Sequence, residues 1–83
     1  MYYVYVLKSR LDEKLYIGYT TDLKERFKRH QNGEVVSTKS RRPLDLIFYE
    51  AYKSKEDAER RERYFKTAKG KSSLRIMLKD SLK

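Results

Sequence analysis

Two tyrosines, an arginine, the only histidine and one glutamate are the side chains whose types and spacing could do chemistry in this sequence. Glu62 lies four residues after Ala58 and three before Phe65, which puts a carboxylate on the helical apolar stripe Ala58, Phe65, Ala68. An ionised group facing the body of a protein is costly unless it is paired or bound to a metal. An ion pair with a nearby arginine, or a rim position that reaches water, is the commoner explanation. Arg26 and His30 are also four apart, on the flank of a Leu23/Phe27 stripe, and offer a fixed cation for phosphate beside an imidazole. An exposed histidine below an arginine usually has no role. Tyr5 and Tyr16 lie on neighbouring strands and can present both hydroxyls on one sheet face. Strand tyrosines are mostly plain sheet residues, and a phenol, with a pKa of about 10, acts as a base only where cations or a metal lower that value.

These side chains need a scaffold, and the apolar periods supply one. Met1 to Ser9 alternates Tyr3, Tyr5 and Leu7 with Val4 and Val6, a strand pattern rich in β-formers. Lys14 to Thr20 is a second strand, with Leu15, Ile17 and Tyr19 opposite Tyr16 and Gly18. The short polar run Arg10 to Glu13 closes a hairpin between them. From Asp22 to about Gln31 the period becomes helical, capped by Thr21 or Asp22 and stopped at Asn32-Gly33. Residues 34–43 read as an exposed basic loop, in which Lys39, Arg41 and Arg42 are free to hold phosphates. Asp45 to Tyr52 is a third strand. Ser54 and Asp57 open a helix from Lys55 to about Lys69, ended by Gly70. A last helix starts at Ser72 or Ser73 and carries the stripe Leu74, Met77, Leu78, Leu82. The order β-β-α-β-α-α predicts an α+β fold with a small three-stranded, antiparallel sheet flanked by helices, in a single domain over residues 1–83.

Composition narrows the partners. Twenty-one Lys and Arg against twelve Asp and Glu give a net charge of +9, the footprint of a protein that neutralises phosphates. The basic residues are not confined to one amphipathic helix, so a membrane surface is the lesser partner. The longest apolar run, Tyr2 to Leu7, is too short for a membrane span or signal segment. Absence of cysteine excludes disulfides and thiolate metal sites and fits a reducing compartment, so a cytoplasmic location is expected. A Gly-rich phosphate loop, a Ser-His-Asp spacing and an HExxH motif are all missing. With most acidic residues in charged helical runs, any metal chemistry points to one ion on few protein ligands rather than a ring of carboxylates.

Taken in order, Tyr3-Val4-Tyr5, Tyr16-Ile17-Gly18, Arg26, His30 and Glu62 resemble the signature of the GIY-YIG nuclease family. Asp22-Leu23, Asn32-Gly33, Arg42-Pro43 and Ala58 through Glu62 ahead of Lys66 agree with it. The likeness covers nearly the whole chain and is nearest to small stand-alone bacterial members related to the N-terminal nuclease module of the bacterial repair excinuclease. It implies a divalent-metal-dependent endonuclease acting on DNA, or on RNA, with one Mg²⁺ or Mn²⁺. By the same resemblance Tyr5 and Tyr16 are the signature tyrosines, one of which helps deprotonate the attacking water. Arg26 steadies the scissile phosphate, His30 relays a proton or touches phosphate, and Glu62 binds the metal. Gly18 lets the backbone come close to this site. Phosphate contacts position without reading sequence, so weak sequence preference, with selectivity for structured or single-stranded substrates, is expected. A protein partner could add specificity to a monomer or weak homodimer. The alternatives are a nucleic-acid-binding module without useful turnover and a docking domain that uses the Leu74, Met77, Leu78, Leu82 stripe.

Overall fold

In the computed structural model, which describes residues 1–83, the first strand, β1 (Tyr2–Ser9), becomes the middle of the sheet. It pairs antiparallel with β2 (Leu15–Thr20) on one side and β3 (Leu44–Tyr52) on the other. Covered on both faces, Val4 through Leu7 are all buried, which is why this strand tolerates an unbroken apolar run. The two faces divide the core. Val4, Val6 and Ile17 pack with Ala58, Phe65, Leu74 and Leu78, whereas Tyr5 and Leu7 pack with Leu44, Tyr16, Leu23, Phe27 and Leu46.

The helix α1 (Leu23–Gln31) covers the Tyr5 face. Asp22 caps it by accepting from Glu25 N at 3.1 Å, and Gly33, at φ 76°, turns the chain away in the left-handed region. The other face is covered by α3 (Lys55–Phe65), capped by Ser54, together with α4 (Ala68–Met77).

Two expectations are corrected. The segment 34–43 is not simply an exposed loop, because Val36–Lys39 forms a one-turn helix, α2, with Val35 and Thr38 buried. A polar sequence hid this, since Thr38 is inside on account of its hydrogen bonds rather than any apolar bulk. Nor does the Lys55 helix run to Lys69. It stops at Phe65, and α4 begins with Thr67 as its cap, whose hydroxyl accepts from Gly70 N at 3.0 Å and donates to the Tyr64 carbonyl at 2.7 Å. Gly70 is therefore no helix stop. It is buried inside α4 where the two helices cross, and a Cβ there would lie 1.8 Å from the Tyr64 carbonyl oxygen. Ala68 leaves the α3 stripe and is exposed. Of the C-terminal stripe, Leu74 and Leu78 are core and Leu82 packs against it, while Met77 is 44% exposed, so the docking-face reading loses its basis.

Because the clash at Gly70 is with backbone, the helices must separate to relieve it. Gly70→Ala is expected to destabilise the fold by about 2 kcal/mol, with a melting temperature lower by about 10 °C in a thermal unfolding measurement.

Candidate active site

The sheet register assembles this site. Tyr5 stands opposite Gly18 on β2, and its ring occupies the space over the glycine, so that a Cβ at Gly18 would fall 2.3 Å from both Cζ and Oη of the phenol. Gly18 is thus buried beneath Tyr5 and makes room for the ring. Tyr16, two residues earlier, projects on the same face, with ring centroids 6.3 Å apart. Tyr5 is 1% exposed and Tyr16 is half-buried, so the two signature-like phenols sit in different surroundings.

Crossing this face, α1 delivers Arg26 and His30 one turn apart. His30 is fully buried, against the expectation of an exposed flank. Its Nε2 is 2.8 Å from the Tyr5 hydroxyl, and its ring meets Tyr5 and Tyr16 edge-on at 5.6 and 5.1 Å. Arg26 Nε donates to the same hydroxyl at 3.4 Å. On the far side of the imidazole, Nδ1 is 2.7 Å from Thr38 Oγ1. Sequence reasoning missed Thr38, because nothing distinguishes it from Ser37 and Ser40 around it.

Burial dominates the electrostatics. It pushes Tyr5 up to about 12 against the lowering effect of the Arg26 hydrogen bond, with Tyr16 and Glu62 adding to the rise. Burial, then the charge of Arg26, pushes His30 down to about 4. Arg26 is held firmly charged by its bond to Tyr5. At neutral pH the free site is a protonated phenol and an uncharged imidazole beside a fixed cation.

Glu62 comes from α3, which packs on the opposite face of the sheet. Its side chain is 22% exposed, Oε2 pairs with Lys66 Nζ at 3.1 Å, and its charge is felt at Tyr5. The ion pair is therefore with the next turn's lysine rather than an arginine. No group of three or more His, Cys, Asp or Glu side chains converges anywhere. One partly exposed carboxylate with Oε1 uncommitted fits a hard divalent ion that keeps several waters and borrows further oxygens from a phosphate.

The basic segment is divided. Lys39 is exposed. Arg41 pairs with Asp12 at 3.2 Å, and Arg42 donates to the carbonyls of Lys39 at 2.9 Å and Gln31 at 3.4 Å, stacking over Gly33. Both arginines thus hold α2 against its neighbours. A recess of about 210 Å³ opens at Arg26, lined also by Thr20, Asp22, Glu25 and Arg29. The larger cleft of about 510 Å³, lined by Tyr3, Leu23, Phe27, Leu46 and Tyr49, contains none of the five clustered residues.

The lowered His30 makes stability depend on pH in one direction. Unfolded, its imidazole protonates below about pH 6.5, whereas folded it resists until about 4, so between these values the unfolded chain binds more protons. Its contribution is complete above pH 6.5 and is lost as pH falls towards 4, by about 3 kcal/mol at most. In urea titrations, the difference in stability between wild type and His30→Gln should therefore narrow over this window and stay flat above it. For the phenol, Gly18→Ala should cost about 1–3 kcal/mol and displace Tyr5 from His30, measurable as loss of the shifted Tyr5 titration by ultraviolet absorbance.

Comparison with known proteins shows the family and the fold. The chain is 38% identical to a UPF0213 protein of Clostridium perfringens, over all of this chain and 89% of that protein. It is 45% identical to a UPF0213 protein of Streptococcus pyogenes, over 84% of this chain and 76% of that one. The solution NMR structure of a UPF0213 protein from Bacillus halodurans superposes with a TM-score of 0.59 at 37% identity, covering 93% of this chain and 85% of the other. Residues 1–75 match the profile described as the GIY-YIG catalytic domain. That span carries both tyrosines, the arginine, the histidine and the glutamate, and the chain belongs to the GIY-YIG family.

Proposed function

We propose that this protein is a metal-dependent endonuclease that hydrolyses phosphodiester bonds in nucleic acid, DNA foremost, with low sequence specificity. The observation that carries this reading is the convergence of Tyr5, Tyr16, Arg26 and His30 on one sheet face, with the charge of Glu62 felt at the buried phenol. A single Mg²⁺ or Mn²⁺, held by Glu62 and water, would polarise the phosphate or the leaving oxygen. Everything else falls to the chain's own groups.

Arg26 fixes the scissile phosphate and meets the charge that develops on it, a task suited to a guanidinium that is half-buried and already oriented by Tyr5. Tyr16, the more accessible phenol, positions the attacking water and, on passing its own hydroxyl proton to solvent, takes the water's proton. Tyr5 and His30 hold a second proton between them behind this front, and Gly18 allows Tyr5 to lie close enough to do so. Around the site, Lys39 and the exposed donors of Arg42 grip the substrate backbone, with Arg41 serving mainly to anchor them. With a net charge of +9 the grip is electrostatic and falls steeply with salt. No helix is long and apolar enough to cross a membrane, and the proposed setting is the cytoplasm, as a monomer or weak homodimer that a protein partner directs to its substrates.

The test is cleavage of single-stranded, duplex, flapped and branched DNA and of RNA with Mg²⁺ or Mn²⁺. Glu62→Ala and Arg26→Ala should each lower the rate by about 100-fold or more, with circular dichroism spectra like wild type. Metal-dependent cleavage that survives Glu62→Ala unchanged would remove these roles. Salt-sensitive binding with no cleavage of any substrate would identify a nucleic-acid-binding module instead.

A further inference from the structure

His30 sits between two hydroxyls, and the position of one proton decides what it can do. Tyr5 Oη is 2.8 Å from Nε2, and Thr38 Oγ1 is 2.7 Å from Nδ1. If Nε2 carries the proton, it donates to Tyr5 Oη, which already receives Arg26 Nε at 3.4 Å. The hydroxyl hydrogen of Tyr5 then has no protein acceptor, although the ring is buried. If Nδ1 carries the proton, it donates to Thr38, Thr38 passes its own hydrogen to the Val35 carbonyl at 3.5 Å, and Tyr5 donates to the bare Nε2. Only the second arrangement gives every buried donor an acceptor within the protein, and no buried side-chain polar atom in the structure lacks a partner.

We propose that Thr38 is a positioning residue of the active site, which accepts from Nδ1–H and so fixes the His30 tautomer whose bare Nε2 faces the Tyr5 hydroxyl. The catalytic consequence rests on the nuclease reading above; the tautomer does not. The groups packed around the imidazole are Tyr5 from β1, Tyr16 from β2, Arg26 on its own helix and Thr38 from α2, and Arg26 is the only charge among them. In this tautomer both groups stay neutral: Tyr5 donates its hydroxyl hydrogen to the bare Nε2, and the lone pairs of the phenol oxygen are left facing Arg26. Thr38 is suited to the task because it is fully buried, β-branched and anchored through its amide to Val35 O at 3.1 Å, so its hydroxyl has little freedom to turn away. Being neutral, it orients the ring without supplying charge, the orienting part of what a carboxylate does in a Ser-His-Asp triad.

His30 is the only histidine, so its two ring nitrogens can be followed by NMR in uniformly ¹⁵N-labelled protein without interference. The expected result at neutral pH is a protonated Nδ1 and a bare Nε2. Thr38→Val, which keeps the shape and removes the acceptor, should move the proton wholly or partly to Nε2 and lower kcat about tenfold or more, whereas Thr38→Ser should keep the wild-type tautomer and most of the rate. A proton on Nε2 in the wild type, or a Thr38→Val protein with unchanged tautomer and rate, would overturn the proposal. The wild-type spectrum decides the tautomer even where Thr38→Val fails to fold. A wild type that shows the Nδ1–H tautomer but cleaves nothing supports the positioning of the ring while refuting the nuclease reading, so the two failures are distinguishable.

Discussion

A phenol removed from water must find a partner for its hydroxyl, and Tyr5, in the central strand and 1% exposed, finds His30. Much of the arrangement on this face follows from that bond. It requires a glycine opposite, because the ring occupies the space of a Cβ at position 18. It requires α1 to cross the sheet where His30 can reach Nε2 to Tyr5. It requires something on the other side of the imidazole, which brings Thr38 and the single turn of α2 inward. Arg41 and Arg42 then hold that turn in place through Asp12 and the carbonyls of Gln31 and Lys39. A chain of polar contacts running from the middle of the sheet to its surface thus orders the segment between α1 and β3.

Burial and charge act in opposite directions along this chain. The inner groups, Tyr5 and His30, are driven towards their neutral forms by loss of solvent, while Arg26, at the boundary, stays charged and faces the recess. Glu62 approaches from the opposite layer of the protein, on a helix that packs against the other face of the sheet. A carboxylate and a guanidinium can therefore lie near one phenol without pairing with each other; Glu62 is tied to Lys66 and Arg26 to Tyr5.

The opposite face shows ordinary packing with one unusual joint. Phe65 closes α3 and receives the Arg61 guanidinium over its ring at 4.3 Å, while the same arginine pairs with Glu50 on β3 at 2.9 Å. Directly afterwards the chain reverses into α4 through Thr67 and Gly70. The bare backbone at Gly70 lets α4 lie against the end of α3 and bring Leu74 and Leu78 into the core. The C-terminal helix is part of the foundation on which Glu62 stands.

The order of elements, the hairpin, the caps at Asp22 and Ser54 and the shared face of Tyr5 and Tyr16 were legible in the residues, because period and capping chemistry are local. The candidate residues stood out as a set only through their resemblance to the GIY-YIG signature, since each alone has an ordinary explanation. Tertiary structure decided what no local rule expresses. It buried His30 and Thr38, polar residues whose place inside depends on partners 25 and 8 positions away along the chain. It made Gly70 a crossing point instead of a helix end, because the carbonyl that excludes a side chain there belongs to the preceding helix. It also turned Arg41 and Arg42 from free cations into struts. Apolar periodicity is written residue by residue, whereas the environment of a buried polar group exists only once distant segments have met.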